Sequence, residues 1–154
     1  MAVNKRQLTL ILVFVTHLLS QQAFGQWPIP IHFHEREGLV CGKINQLACD
    51  SSNFIWIACE YGLYRYDGFY FKPFTVSDGL PDNQIVDIQI VHNKVVAVGI
   101  RGGIAFFNDS VFRQYPFNKQ IYEAAKGQIP VSGSLHINGN RVSMSFYNLG
   151  TIEV

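Results

Sequence analysis

A chain that repeats itself at a period near 40 has few folds open to it. Displaced by 41 residues, two stretches of this sequence match without a gap. Gly38-Leu39 falls on Gly79-Leu80, Ile44 on Ile85, Leu47 on Ile88 and Phe54-Ile55 on Val95-Val96. Ile57 falls on Val98, Gly62 on Gly103, Phe71 on Phe112 and Phe74 on Tyr115. After an insertion of six a third copy begins: at an offset of 47, Ile88-Gln89-Ile90 falls on Leu135-His136-Ile137, Lys94-Val95 on Arg141-Val142 and Gly103 on Gly150. The shared positions are turn glycines and apolar strand positions, those a repeated fold must keep.

Within a copy, short β-branched and aromatic runs alternate with glycine-containing turns, the pattern of an antiparallel meander. The first copy predicts strands over Ile44–Cys49, Phe54–Cys59, Leu63–Tyr66 and Phe69–Phe74, with Asp67-Gly68 as a two-residue hairpin. The second predicts Ile85–Val91, Val95–Ile100, Ile104–Phe107 and Val111–Tyr115. The third predicts Ser134–Ile137, Arg141–Phe146 and Thr151–Val154, and a short helix is expected over Asn118–Lys126 in the insertion. Phe54-Ile55-Trp56-Ile57 and Val95-Val96-Ala97-Val98 have no polar face, so each is expected to be buried on both sides. Four-stranded units stacked face to face do this, which is the blade geometry of a β-propeller.

The expected fold class is therefore all-β: propeller blades of four antiparallel strands, two of them full and a third partial, after an N-terminal signal peptide helix. The expected boundaries are a signal peptide at 1–25, a leader with a lone outer strand at 26–37, blade 1 at 38–78, blade 2 with its insertion at 79–126 and a partial blade 3 at 127–154. The lone strand, Ile31–His34, matches the outermost strand of the following copy. Under three blades fall short of a closed ring, so the chain reads as the N-terminal piece of a longer protein.

Lys5 and Arg6, the apolar run Leu8–Leu19 and the small residues of Ala23-Phe24-Gly25 form the pattern of a cleaved secretory signal. The alternative is an uncleaved anchor, for which about 12 apolar residues are short of the roughly 20 a span needs. With Lys5 and Arg6 removed, ten basic residues face eleven acidic ones. That near balance gives no support for nucleic-acid binding. Cys41, Cys49 and Cys59 all lie in the exported part, and an odd number cannot pair completely. Cys49 and Cys59 end neighbouring predicted strands; a disulfide there and two small buried apolar residues are both open readings.

The stretch from Asn53 to Asn83 closely resembles the two-component regulator propeller repeat. It carries Trp56, Gly62-Leu63, Arg65-Tyr66-Asp67-Gly68, Phe71, Phe74 and Gly79-Leu80-Pro81-x-Asn83. The second copy departs from that pattern, with Ala97 for Trp56 and Phe106-Phe107-Asn108-Asp109 for Arg65 to Gly68. The resemblance implies the exported sensor region of a Bacteroidetes-type membrane histidine kinase, on the periplasmic side of the inner membrane. Further blades, a transmembrane helix and a kinase module would then follow it. Several relatives sense oligosaccharides, although no residue here picks out a sugar, and the ligand remains an unknown small molecule.

No catalytic, cofactor or metal set stands out, and no enzyme activity is expected of this segment itself. His32 and His34 share one face of the predicted leader strand, which fits a polar edge. Gly99 to Gly103 precedes a strand, so it is a turn and not a phosphate cradle. Recognition is expected on loops held by a rigid scaffold. The turns after second strands and the links between blades share one face, and they nominate Glu60, Tyr61, Asn83, Arg101 and Asn148. A secreted propeller lyase or glycosidase, or a stand-alone interaction module, are the alternative readings.

Overall fold

In a computed structural model, residues 4–7, 9, 13–15, 29–33, 35–139 and 141–154 are described. Most of the expected signal peptide lies outside them. Among the described residues no helix is long and apolar enough to cross a membrane. The chain divides into two units, Met1–His32 and Phe33–Val154, and every strand belongs to the second.

Eleven strands among the described residues form three antiparallel meanders. The first sheet runs β1 (Ile44–Cys49), β2 (Ile55–Cys59), β3 (Gly62–Tyr66), β4 (Phe71–Phe74). The second runs β5 (Ile85–Val91), β6 (Lys94–Gly99), β7 (Ile104–Asn108), β8 (Val111–Gln114). The third holds β9 (His136–Asn138), β10 (Arg141–Phe146) and β11 (Gly150–Glu153), with β10 central. These are the expected blades. Residues 29–33 lie in no strand, although Ile31–His34 reads as one in the sequence; His34 is outside the described residues.

The strands without a polar face have their two faces in different cores. Along β2, Trp56 and Ala58 join a cluster with Leu63, Phe74, Ile88, Val95 and Ala97 between the first two sheets. Ile57 and Cys59 turn the other way, to Tyr64, Phe71 and the link residues Leu39 and Cys41. Along β6, Val95 and Ala97 face the first sheet while Val96 and Val98 face the third, with Ile121, Met144 and Phe146. Period-two geometry sends neighbours to opposite faces, and both faces are buried from Trp56 to Cys59 and from Val95 to Gly99, while Ile55 at the start of β2 is 40% exposed.

The register corrects the gapless repeat. Arg65 pairs with Trp56 on β2, and its counterpart Phe106 pairs with Val96 on β6. Val96, not Ala97, therefore stands where Trp56 stands in the first blade. Between equivalent paired residues, the path from Ala48 to Trp56 is one residue longer than that from Gln89 to Val96, and the path from Val96 to Phe106 is one longer than that from Trp56 to Arg65. The two offsets cancel, so the sequence match resumes at Gly62 and Gly103. Between them a one-residue slip sends every side chain to the other face.

The Asp67-Gly68 hairpin is also wider than expected. Only Gly68 has a positive φ, at 99°. Asp67 Oδ1 accepts from the Phe69 and Tyr70 amides at 2.8 and 2.7 Å. This Asx cap holds Phe69 and Tyr70 in the turn, 84% and 76% exposed, and the strand resumes only at Phe71. The amides hold the Asp67 carboxyl below its ordinary value, Tyr70 contributing most, then Phe69.

Two motifs recur from blade to blade. The link before blade 2 forms one 3-10 turn, Val76–Asp78, with Thr75 and Asp78 capping it reciprocally and Gly79 left-handed after it. A Cβ on Gly79 would collide with the Phe112 carbonyl, so glycine is required there. The leader repeats the turn at Glu35–Glu37, followed by left-handed Gly38. Phe33 meets Phe71 and Tyr66 at 5.1 and 5.2 Å, as Phe74 meets Phe112 and Phe107 at 5.4 and 5.5 Å. Phe33 thus packs on blade 1 as Phe74, on the outer strand of blade 1, packs on blade 2. Inner strands are stitched across the gaps: Gln46 Oε1 accepts from the Ile88 amide at 2.9 Å. Its repeat counterpart Asp87 accepts through Oδ2 from the Gly133 amide at 2.8 Å.

Candidate functional site

The residues expected on the loop face fall into three separate stations. At the first blade, Glu60 and Tyr61 make the β2–β3 turn over Gly42. A Cβ on Gly42 would lie 2.7 Å from Glu60 Oε2 and 3.0 Å from the Tyr61 ring, so the small link residue lets that turn close down. Tyr61 is largely exposed.

At the second blade, Arg101 donates to buried Asp82 through Nε at 2.8 Å and pairs through Nη2 at 2.6 Å. Its guanidinium lies 5.3 Å from the Tyr122 ring centroid. Tyr122 is carried by α1 (Asn118–Ala125), the helix of the insertion. Asn118 fixes that helix by bonding both the amide and the carbonyl of Ile104 at 2.9 Å. The Asp82 hydrogen bond and charge raise the Arg101 pKa against desolvation. Burial first, then the Asp82 charge, push the Tyr122 phenol up.

At the third blade, Asn148 adopts a left-handed φ of 59° in the exposed β10–β11 turn. Asn83 is committed to structure: its Oδ1 accepts from the Val76 amide at 3.1 Å and shapes the link. Among the described residues no hydrogen bond or ion pair joins Glu60, Arg101 and Asn148.

One position ties each link to its blade, with different chemistry each time. In blade 1 it is a Cys41–Cys59 disulfide, Cα atoms 5.6 Å apart, and Cys49 is free and exposed. The conceivable Cys49–Cys59 pairing is thus not formed, because those residues end β1 and β2 at opposite tips of the sheet. In blade 2 the counterparts of Cys41 and Cys59 are Asp82 and Gly99. Asp82 Oδ2 sits 2.5 Å from where a Gly99 Cβ would stand, and the carboxylate reaches on to Arg101. In blade 3 the Tyr147 amide donates to the Ile129 carbonyl at 3.0 Å. Among the described residues no three His, Cys, Asp or Glu side chains converge as a metal site.

A cleft that the sequence did not nominate opens on the opposite face, between the β1–β2 turn and blade 2. It has a volume of about 300 Å³. Asp50 organises its wall, accepting from the Ser52 and Phe54 amides through Oδ1 and from Trp56 Nε1 through Oδ2 at 2.7 Å. Arg65 lies across the floor, 4.5 Å over the Phe54 ring and within 6 Å of the Trp56 and Phe107 centroids. Lys94 and Asp109 stand at the rim. The equivalent gap between blades 2 and 3 is an apolar groove of about 500 Å³. There Phe106, Val142 and Val154 hold the places of Arg65, Val95 and Phe107.

No protein-family model matches the sequence, and no curated protein matches it. Solved structures do. The extracellular domain described as that of hybrid two-component system BT3049 from B. thetaiotaomicron superposes with a TM-score of 0.57 over 79% of this chain, at 21% identity. A second B. thetaiotaomicron extracellular domain, described as that of one-component system BT4673, reaches 0.50 over 75% of the chain at 21% identity. The fold is shared with these extracellular domains. The chain spans 17% and 15% of their lengths.

Proposed function

We propose that this chain is a segment of the exported sensor propeller of a two-component signalling protein, acting by binding and not by catalysis. The supporting observation is the fold likeness to the extracellular domain of a two-component system, joined to the repeat motif at Trp56 to Asn83. Signalling would then require further blades, a membrane span and a kinase module. The loop face presents Glu60, Tyr61, Arg101 and Asn148 outward from rigid turns, suited to contacting a small ligand or a partner.

The test has two parts. Alkaline phosphatase fused after Val154 is active only when exported, so activity that depends on residues 1–25 is expected, and a cytoplasmic fusion product overturns the reading. Deletion of the gene in its native host should abolish a transcriptional response that the wild-type gene restores. An unchanged transcriptome, or hydrolysis of an oligosaccharide by the purified chain, would favour a different role.

A further inference from the structure

We propose that the cleft beside Arg65 is a binding site for a small oxyanion, a carboxylate or sulfate group, distinct from the loop face and independent of its role. Arg65 is half-buried, and its guanidinium carbon lies 4.5 Å from the Phe54 ring centroid and within 6 Å of those of Trp56 and Phe107. Among the described residues no carboxylate or carbonyl takes a hydrogen bond or ion pair from it. A guanidinium is always charged and offers five N–H donors in a fixed fork. Aromatic faces satisfy its charge in part but none of those donors.

The Asp50 carboxylate of the wall makes its hydrogen bonds within its own turn and strand. Both Asp50 oxygens are engaged, with the Ser52 and Phe54 amides and with the Trp56 indole. Lys94 adds a second positive charge at the rim, and the Ser51 and Ser52 hydroxyls add donors. Asp50 and Asp109 also line the cleft, and Asp67 interacts electrostatically with Arg65; these opposing charges limit the site to small anions seated directly on the Arg65 fork. The fold does not demand arginine here, because the next gap closes with Phe106 at the same position. An aromatic-stacked fork with free donors, in a cleft of about 300 Å³, suits bidentate capture of one oxyanion group.

The experiment follows the Arg65 Nε–H resonance of the ¹⁵N-labelled whole chain during titration with sodium acetate and with sodium sulfate, at ionic strength matched with chloride. A saturable shift at Arg65 is expected with at least one of them. Saturation by acetate alone identifies a carboxylate site, by sulfate alone a sulfate-type site, and by both a general oxyanion site. Backbone amides of Ser52 and Lys94 should report the same midpoint. Arg65→Gln should weaken that midpoint about tenfold or more, the loss of charge-assisted hydrogen bonds, and Lys94→Gln severalfold. Arg65→Phe copies the second gap and keeps the fold while abolishing binding. Arg65 resonances that do not move, shifts that never saturate, or an unchanged midpoint in Lys94→Gln and Arg65→Gln would overturn the proposal.

Discussion

The two gaps between blades are built on one frame and filled in different ways. In the first, Trp56 and Arg65 are the cross-strand pair facing the next blade; in the second, Val96 and Phe106 hold those positions. The first gap puts its bulk deep, with a fully buried indole against Phe74, Phe107 and Phe112, and leaves a polar mouth. The second puts its bulk nearer the mouth, leaves an aliphatic floor, and adds Ile121 and Ala125 of the insertion helix to its core. A hydrogen bond to the inner strand across the gap recurs, accepted by Gln46 from the Ile88 amide in one gap and by Asp87 from the Gly133 amide, ahead of β9, in the other. The blade frame therefore fixes strand positions and stitching, and it leaves the mouth of each gap free to vary in chemistry.

The largest test of that contrast is truncation of the deep residue in each gap. Trp56→Ala should cost about 3–5 kcal/mol in urea-induced unfolding, as expected for a buried aromatic that leaves a cavity. Val96→Ala should cost about 1–2 kcal/mol, from two lost methyl groups and a small void. Equal losses would mean that the two gaps share their stability evenly, against the geometry.

The ties between link and blade give the next comparison. Replacing Cys41 and Cys59 together by serine should cost about 3 kcal/mol, the loop-closure estimate for a crosslink over the 18-residue separation. Arg101→Ala should cost about 0.5–1 kcal/mol, because the arginine side chain is 65% exposed and solvent screens the pair. Denaturation midpoints under oxidising and reducing conditions separate the two. Reductant should lower the wild-type midpoint and leave the serine double variant unmoved.

Asp50→Ala probes what the polar mouth itself contributes. It removes two amide bonds of the turn and the acceptor for the buried Trp56 indole, and about 1–2 kcal/mol should be lost. Near-ultraviolet circular dichroism of the indole should change with it. The second gap has no counterpart whose removal does this, since its β5–β6 turn is only His92-Asn93.

Much of this was legible in the residues. The repeat located the strands because glycine at Gly62, Gly79 and Gly103 and apolar runs on both faces are requirements of stacked blades. Phe33 was readable as an outer-strand residue, and it packs as one although no ladder forms around it. What failed was register: a gapless alignment cannot see two compensating turn lengths, so Trp56 was matched to Ala97 and not to Val96. The disulfide partner was hidden for a similar reason, since Cys41 lies in a link whose path over Cys59 is set by tertiary packing. The Arg65 cleft was invisible because an arginine in a strand motif reads as scaffold. Only the absence of an acceptor among the described residues, beside Phe106 in the next gap, marks it as different.

The smallest effect distinguishes the hairpins at the two mouths. In blade 1 the Asp67 carboxylate caps two amides of a wide turn; in blade 2 the turn is the two residues Asp109-Ser110, with Asn108 and Val111 paired across it. The amides lower the folded Asp67 pKa below its ordinary value of 3.8. A carboxyl depressed by folding adds stability that is complete above the ordinary value and is lost as pH falls through the lowered folded value. Wild-type stability should therefore fall on acidification below about pH 4 by a small increment that Asp67→Asn lacks. Asp109→Asn should leave that increment in place. Unfolding midpoints measured between about pH 2 and 5 read the difference directly. If Asp109→Asn flattens the acid limb as much as Asp67→Asn does, the two hairpins are electrostatically alike and the width of the first turn has no energetic consequence.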